Sequence, residues 1–478
     1  MKPSPDITVA YHANGRRPPG LSRRSLLANS VKAAAASGLA PLLTGCHTVS
    51  SQRMQPPDDR LRIAVVGIGG MGQHYMAGCR SEHFVALCDL DHNFAGPVFE
   101  KYPSAARYHD FRRMFDREAK NFDALIMATP DHTHAVILMA ALQLGKHVYC
   151  AKPVAHAVGE VRTIRQAFAT ARNLVTLTSV QSAASDEACS TAELLDTGAI
   201  GPVRELHLWC DHPSYPCGLL RPTETQRPPR GMDWDLWLGP APYRPYNSAY
   251  HPWKWRAWWD FGAGTVGDMA CHRIHVCFKQ LQLGAPAIIY ANGSTVCDDD
   301  SKRIATRECQ SHANIITWEY PARGELPPIL VNWYDGGMKP PRPAELDHTI
   351  ALPRNGMLFV GEKGKLLAGS NGGRFPVGRG LSGGLLLPEE EFRDFPEPPM
   401  TLPRVRDHYG EWTNACKTGA RTSCPIEFGC EMSEVALLGA LALRTGRLLE
   451  WDSATASITN SITANALISP PRRAGWSL

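Results

Sequence analysis

Cysteine patterning is the first feature that the sequence lacks. Its 14 cysteines among 478 residues include no Cys-x-x-Cys pair and no dense framework. This excludes a common type of zinc site and the disulfide scaffold of small secreted domains. We therefore predict neither a metal centre nor disulfides.

Strong charge of one sign is also missing. The formal net charge is only +4, and no run of Lys or Arg is interleaved with aromatic residues. Binding to nucleic acid needs a basic surface of that kind, so we expect no nucleic-acid partner.

The sequence also has no internal repeat. The length of 478 residues exceeds what one hydrophobic core usually organises, and it favours two domains.

The first 46 residues are typical of a targeting segment. Residues 22–27 contain the pair Arg23-Arg24, a modestly apolar stretch follows, and residues 43–46 end in Cys46. This pattern resembles a twin-arginine signal that ends in a lipoprotein box. It predicts export to the periplasm or cell envelope, with a lipid anchor at Cys46. The alternative is a disordered basic leader that contains the two arginines by chance.

A dinucleotide-binding fingerprint follows the leader. Residues 61–66 form a short β-branched run, and a plausible helix comes after a loop made of Gly67, Ile68, Gly69, Gly70, Met71 and Gly72. Glycines in this context permit a tight turn and a close approach to a pyrophosphate. A second predicted strand, 84–88, ends at Asp89, whose carboxylate can bind the ribose hydroxyls of NAD. The motif predicts NAD as cofactor, with NADP as the alternative.

Strands and helices continue to alternate after this motif. A buried strand at 122–130 leads to the loop 131–134, and a helix at 135–144 precedes a strand at 147–150. This order is typical of a doubly wound parallel sheet, in which ligands bind at the carboxyl ends of strands. His132 and His134 suggest a metal site only as a minor alternative.

Four segments together resemble the Gfo/Idh/MocA family of oxidoreductases. They are residues 67–72, 129–134, 145–153 and 264–272. The resemblance implies an α/β fold with an N-terminal Rossmann domain, a doubly wound parallel sheet, plus a C-terminal α/β domain with a large, mostly antiparallel open sheet. The strand-like residues 315–320 and 329–334 are compatible with it.

The predicted domain organisation has four parts. A signal segment, 1–46, and a linker, 47–59, precede an NAD(P)-binding Rossmann domain at 60–181. A substrate and oligomerisation domain at 182–478 follows, and its last part, including a helix near 432–443, is expected to pack back on the Rossmann domain. We expect a homo-oligomer.

The resemblance also implies which residues form the site. Besides the glycine loop and Asp89, the expected cofactor contacts are Thr129, Pro130, His134, Lys152 and Pro153. The expected catalytic residues are His272 as proton acceptor, Lys152 polarising the substrate oxygen, and Asp268 orienting the substrate. Asp268 and His272 are four residues apart, so a helix opening at 264–267 places them on one face.

One residue departs from the family pattern. The family commonly has Glu-Lys-Pro, whereas this chain has Ala151-Lys152-Pro153. Without the carboxylate neighbour, Lys152 becomes either a better base near neutral pH or a less well oriented one.

An aromatic run precedes the second part of the site. Residues 253–259 contain four tryptophans, and both a core role and a sugar-binding platform remain open. Trp255, Arg256 and Tyr334 are the predicted substrate contacts.

These features favour an oxidoreductase that transfers a hydride between NAD(P) and a secondary alcohol of a sugar or polyol. Free NAD is scarce outside the cytoplasm, so we expect the cofactor to stay bound. The first alternative is an NAD-dependent glycosidase that oxidises its sugar transiently and then eliminates the aglycone. The second is a non-catalytic sugar- or dinucleotide-binding protein.

Overall fold

Residues 59–171, 173–297, 300–304, 306–375 and 380–478 are described by the structure, which is a computed structural model. Arg23, Arg24 and Cys46, on which the predicted export signal depends, lie outside the described residues. Within the described part of the chain, no helix has the length and apolar character needed to cross a membrane.

Six parallel strands form the first sheet, in the order β3-β2-β1-β4-β5-β6. Their bounds are β1 Arg62–Val66, β2 His83–Cys88, β3 Ala106–Tyr108, β4 Ala124–Met127, β5 His147–Cys150 and β6 Thr176–Thr178. This is the strand order of a Rossmann fold. The central strands β1 and β4 are apolar and buried apart from Arg62 at the start of β1, because helices cover both faces of the sheet. The predicted doubly wound parallel sheet is confirmed.

Five helices connect these strands. Their bounds are α1 Met71–Gly78, α2 His92–Lys101, α3 Phe111–Glu118, α4 His134–Gln143 and α5 Val158–Thr170. Asp91 and Asp110 cap α2 and α3, since each carboxylate accepts hydrogen bonds from backbone N–H groups of the first turn. The loops that begin these helices are thereby fixed at the carboxyl edge of the sheet.

Nine strands form the second sheet, in the order β15-β14-β13-β7-β12-β11-β8-β16-β17. Strands β7 and β12 pair in parallel, and the other neighbouring pairs are antiparallel. The large, mostly antiparallel sheet expected for the C-terminal domain is confirmed. A separate strand pair is formed by β9 and β10. The bounds are β7 Val203–Trp209, β8 Ile288–Gly293, β9 Val296–Cys297, β10 Arg303–Ile304, β11 Asn314–Tyr320, β12 Ile329–Tyr334, β13 Gly356–Gly361, β14 Lys365–Ala368, β15 Leu385–Leu387, β16 Leu449–Asp452 and β17 Ser457–Ile458.

The remaining helices lie around this sheet and against the Rossmann domain. Their bounds are α6 Asp186–Asp196, α7 Trp234–Leu238, α8 Gly264–Met269, α9 Cys271–Ile274, α10 His408–Thr418, α11 Ile426–Thr445 and α12 Ile462–Asn465. The N–H of Thr178 donates to the Cys424 carbonyl at 2.8 Å, and Arg162 on α5 pairs with Glu434 on α11 at 2.6 Å. The segment after residue 400 therefore buttresses the Rossmann domain. The expected boundary at residue 181 falls between β6 and α6.

Candidate active site

A cavity opens at the carboxyl edge of the parallel sheet, and both domains line it. Gly67, Asp89, Thr129 and Lys152 contribute from the Rossmann domain. Arg256, Asp268 and His272 are among the lining residues of the second domain. The cavity lies where ligands bind to open α/β sheets, just beyond the strand ends.

The glycine loop forms one wall of this cavity. Gly67 has φ +83°, and a Cβ there would lie 2.6 Å from the Ala128 carbonyl oxygen. A Cβ at Gly72 would lie 1.9 Å from the Gly67 carbonyl oxygen, so α1 packs directly on the turn. At Gly70, by contrast, a Cβ would meet a single heavy atom within 4 Å. The loop is therefore closed on its sheet side and open toward the cavity, as a pyrophosphate cradle must be.

Asp89 holds the loop in this conformation. Its Oδ2 accepts hydrogen bonds from the N–H groups of Ile68 at 2.9 Å and Gly69 at 3.0 Å, and its Oδ1 accepts one from Asp91 at 3.0 Å. Burial raises the pKa of Asp89, and these three hydrogen bonds oppose the rise. The carboxylate also lines the cavity, where it can receive ribose hydroxyls. The glycine loop fits the pyrophosphate of NAD, and the Asp89 carboxylate fits its ribose hydroxyls.

Several predicted cofactor contacts lie behind the cavity wall rather than on it. Thr129, Pro130, Gly70 and Met71 line the cavity, but Ile68, Gly69, Gly72 and Pro153 are buried and do not. The face of Gly69 is covered by the Phe94 ring, which lies 2.4 Å from the position of an added Cβ. These residues shape the wall through their backbone.

The prediction that His134 contacts the cofactor is wrong. Its side chain is buried, with Nδ1 2.8 Å from the Pro153 carbonyl oxygen and Nε2 2.8 Å from the Thr129 carbonyl oxygen. His132 is held in the same way, between the carbonyl oxygens of Phe261 at 3.2 Å and Trp237 at 2.9 Å. Burial lowers the pKa of His134 to about 4 and that of His132 to about 3. Each neutral ring donates one hydrogen bond to one of its two neighbouring carbonyl oxygens, and both ring nitrogens of each histidine face backbone rather than the cavity.

An ion pair joins the two domains at the centre of the site. Lys152 Nζ, just after β5, lies 2.7 Å from Asp268 Oδ1 on α8. Arg256 Nε lies 3.4 Å from the other oxygen of the same carboxylate. Burial alone would raise the pKa of Asp268, but the charges of Lys152 and Arg256 hold it well below its usual range. Asp268 is therefore ionised, and it gives Lys152 a carboxylate partner although residue 151 is alanine.

His272 follows on the next helical turn. The chain stays helical at Ala270 between α8 and α9, so Asp268 and His272 reach the same cavity, as the spacing predicted. Burial, followed by the positive charge of Lys152, lowers the pKa of His272 well below its usual value. A neutral imidazole in this position can accept a proton from a substrate hydroxyl.

The aromatic run at 253–259 divides between the core and the cavity wall. Trp258 and Trp259 belong to the core, with exposures of 0% and 6%. Trp253 and Trp255 line the cavity, and the Arg256 guanidinium lies over their rings at 4.1 and 4.3 Å. Stacking fixes Arg256 beside Asp268. The predicted positions of Trp255 and Arg256 at the cavity are thus observed.

The prediction that Tyr334 contacts the substrate is wrong. Tyr334 is packed in a separate cluster with Trp209 and Leu358, and its hydroxyl lies 3.1 Å from His207 Nδ1. Alternate residues of a strand point to opposite faces, and this end of β12 lies away from the cavity.

Many of the cavity residues were not predicted, and Asp131, Tyr215 and Trp476 are three of them. Asp131 is buried and its Oδ2 accepts a hydrogen bond from the Ala263 N–H at 3.0 Å; burial raises its pKa to about 7. The Tyr215 hydroxyl lies 3.3 Å from Thr265 Oγ1. Trp476 reaches the cavity from the far end of the described chain. Asp131 lay within a recognised motif and could have been found, whereas Tyr215 and Trp476 carry no local signal.

Comparison with known proteins agrees with this geometry. Residues 61–179 match the family model "GFO_IDH_MocA: Oxidoreductase family, NAD-binding Rossmann fold", and residues 218–284 match the model of the family's C-terminal alpha/beta domain. An inositol 2-dehydrogenase of Rubrobacter xylanophilus is 33% identical over 119 residues, which are 24% of this chain and 33% of that protein. An inositol 2-dehydrogenase of Pseudomonas fluorescens is 28% identical over 158 residues, 32% of this chain and 46% of that protein. The matched region thus spans a third to a half of these relatives.

Solved structures share the fold over a longer stretch. The WlbA dehydrogenase of Bordetella pertussis, solved with NADH and UDP-GlcNAcA, has a TM-score of 0.53 at 16% identity, over 82% of this chain and 99% of that one. The aldose-aldose oxidoreductase of Caulobacter crescentus has a TM-score of 0.52 at 18% identity, over the same shares of 82% and 99%. Residues 61–179 are thus similar to the NAD-binding Rossmann domain of the Gfo/Idh/MocA oxidoreductases, and residues 218–284 are similar to the C-terminal α/β domain of that family.

Proposed function

We propose that the protein is an NAD-dependent oxidoreductase that transfers a hydride between its cofactor and a secondary alcohol of a sugar or polyol. The observation that carries the proposal is the convergence of Lys152, Asp268 and His272 on the cavity that the glycine loop also lines. Relatives named inositol 2-dehydrogenase support the polyol class of substrate.

The roles of the three residues follow from their charges. His272, neutral because of burial and the nearby ammonium, accepts the proton of the substrate hydroxyl. Lys152 donates a hydrogen bond to the same oxygen as it becomes a carbonyl oxygen, and Asp268 holds the ammonium in place at 2.7 Å. Arg256 is placed to donate to a neighbouring hydroxyl. The nicotinamide ring of bound NAD supplies the hydride acceptor.

Absorbance in the NADH band tests the proposal. We expect purified protein loaded with NAD to gain this band when a reactive sugar or polyol from a panel is added, and to lose it when a matching ketose or ketone is added. Failure of every sugar and polyol to reduce the bound NAD would contradict the proposal. Release of nitrophenol from an aryl glycoside without any net NADH would instead assign the redox-neutral glycosidase reaction.

We also propose export by the twin-arginine route, supported by Arg23-Arg24 and by the small-residue ending at Cys46. Changing Arg23 and Arg24 to Lys should leave unprocessed protein in the cytoplasm, as detected by fractionation and immunoblotting. A matched control changes Arg16 and Arg17 to Lys, which keeps the paired arginines of the signal intact. Continued export of the Arg23→Lys, Arg24→Lys variant would contradict this route.

A further inference from the structure

The segment 470–476, which follows α12, is fastened to both domains. Arg472 Nε lies 3.0 Å from Glu160 Oε1 on α5 of the Rossmann domain. Arg473 binds the second domain at α7, where it donates to the Gly239 carbonyl at 2.8 Å and pairs with Asp235 at 2.7 Å. These contacts fix the course of the backbone just before Trp476.

Trp476 is the residue of this segment that reaches the cavity. Its side chain is 8% exposed and lines the cavity. The Arg112 guanidinium lies 4.5 Å from its ring, and the Phe111 ring centroid lies 6.3 Å away. Arg112 is itself held by Asp110 at 2.7 Å. The indole is therefore held in one position by groups of the Rossmann domain.

The neighbours of Trp476 show which end of the cavity it covers. Phe111 begins the helix after β3, and β3 lies beside β2, whose end carries the ribose-binding carboxylate Asp89. Lys152 follows β5, on the opposite side of β1 and of the glycine loop. In a Rossmann domain the adenosine half of the cofactor lies at the β2 side. Trp476 consequently stands at the adenosine end, away from the reacting groups.

We propose that Trp476 covers the adenine ring of NAD and that the segment 470–476 thereby retains the cofactor. An indole offers a flat apolar face on which a purine ring stacks. Because Arg472 and Arg473 tether the segment to the two domains, the adenosine half leaves only after these contacts are displaced. This inference rests on the proposed function in taking NAD as the resident cofactor, and it explains how the cofactor stays bound through repeated turnovers.

Binding of half-cofactors tests the inference without any turnover. Titration of ADP-ribose and of nicotinamide mononucleotide by calorimetry reports the two ends of the cavity separately. Trp476→Ala should weaken binding of ADP-ribose and of NAD by roughly 5- to 150-fold, the range of stacking losses on alanine substitution. Binding of nicotinamide mononucleotide should not change. Trp476→Phe should restore most of the loss, because it keeps an aromatic face.

Two controls separate stacking from folding. Trp476→Leu keeps an apolar side chain in the wall but has no π-face, so it should bind ADP-ribose as weakly as Trp476→Ala. Tyr243→Ala removes an aromatic ring that is 71% exposed and outside the cavity, and it should bind all ligands as the parent does.

The outcomes also separate this inference from the proposed function. Equal ADP-ribose affinity in the parent and in Trp476→Ala, or equal losses for both half-cofactors, would overturn the inference. A parent protein that binds ADP-ribose but whose NAD no sugar reduces would contradict the proposed function and leave the role of Trp476 intact.

Discussion

Replacing His272 with alanine should lower the rate of NAD reduction by about 10²- to 10⁴-fold, the usual contribution of a general base. The imidazole is kept neutral by burial and by the ammonium of Lys152, so it is ready to accept a proton at pH 7. Affinity for NAD should stay close to that of the parent, since His272 approaches the cavity from the second domain. Single-turnover absorbance measures the rate, and calorimetric titration of NAD measures the affinity.

The matched control for this variant is His348→Ala, which removes an imidazole that is 95% exposed and far along the chain from the site. It should reduce NAD at the parental rate. If His272→Ala also reduced NAD at that rate, His272 would not be the base, and the role of proton acceptor would pass to Lys152.

Replacing Lys152 with alanine should affect both binding and turnover. The ammonium stands between the Rossmann domain and Asp268, so its loss removes a hydrogen-bond donor from the substrate oxygen and a cation from the cofactor side of the cavity. We expect turnover to fall by about 10²- to 10³-fold, as for other donors that stabilise a developing charge. We also expect weaker retention of NAD during gel filtration, in contrast to His272→Ala.

Lys363→Ala, which changes an exposed lysine on the second domain, is the control for the lost positive charge. It should retain NAD and turn over like the parent. A Lys152→Ala protein with normal NAD retention and reduced turnover would show that the ammonium contacts the substrate alone. Normal values for both would remove Lys152 from the mechanism.

The parts of the site that could be predicted are those whose residues lie close together in the sequence. Gly67 to Gly72 form one turn between a strand and a helix, and Asp268 and His272 are separated by one helical turn, so local sequence determines their geometry. Tyr334 was misplaced because a strand-like pattern does not show where the strand lies in the sheet, and Tyr334 packs against Trp209 and Leu358 instead of lining the cavity. His134 was misplaced because both its partners are backbone carbonyls, which leave no mark in the sequence.

Tyr215 and Trp476 show a different limit. Each reaches the cavity through tertiary packing, and Trp476 is more than 350 positions away from Arg112, the residue that its ring stacks on. No periodicity or motif connects such positions. The aromatic run at 253–259 illustrates the same point, since neighbouring tryptophans divide between core and cavity.

The ion pair between Lys152 and Asp268 bears on exchange of domains between relatives. In this chain the cation comes from one domain and its anion from the other, with alanine at the position before the lysine. A chimaera that joined this C-terminal domain to a Rossmann domain without a lysine at position 152 would leave Asp268 with Arg256 as its neighbouring cation. An exchange of either domain should therefore keep the protein stable only if the incoming domain supplies the partner charge at position 152 or 268, because a buried ion that loses its partner is strongly destabilising.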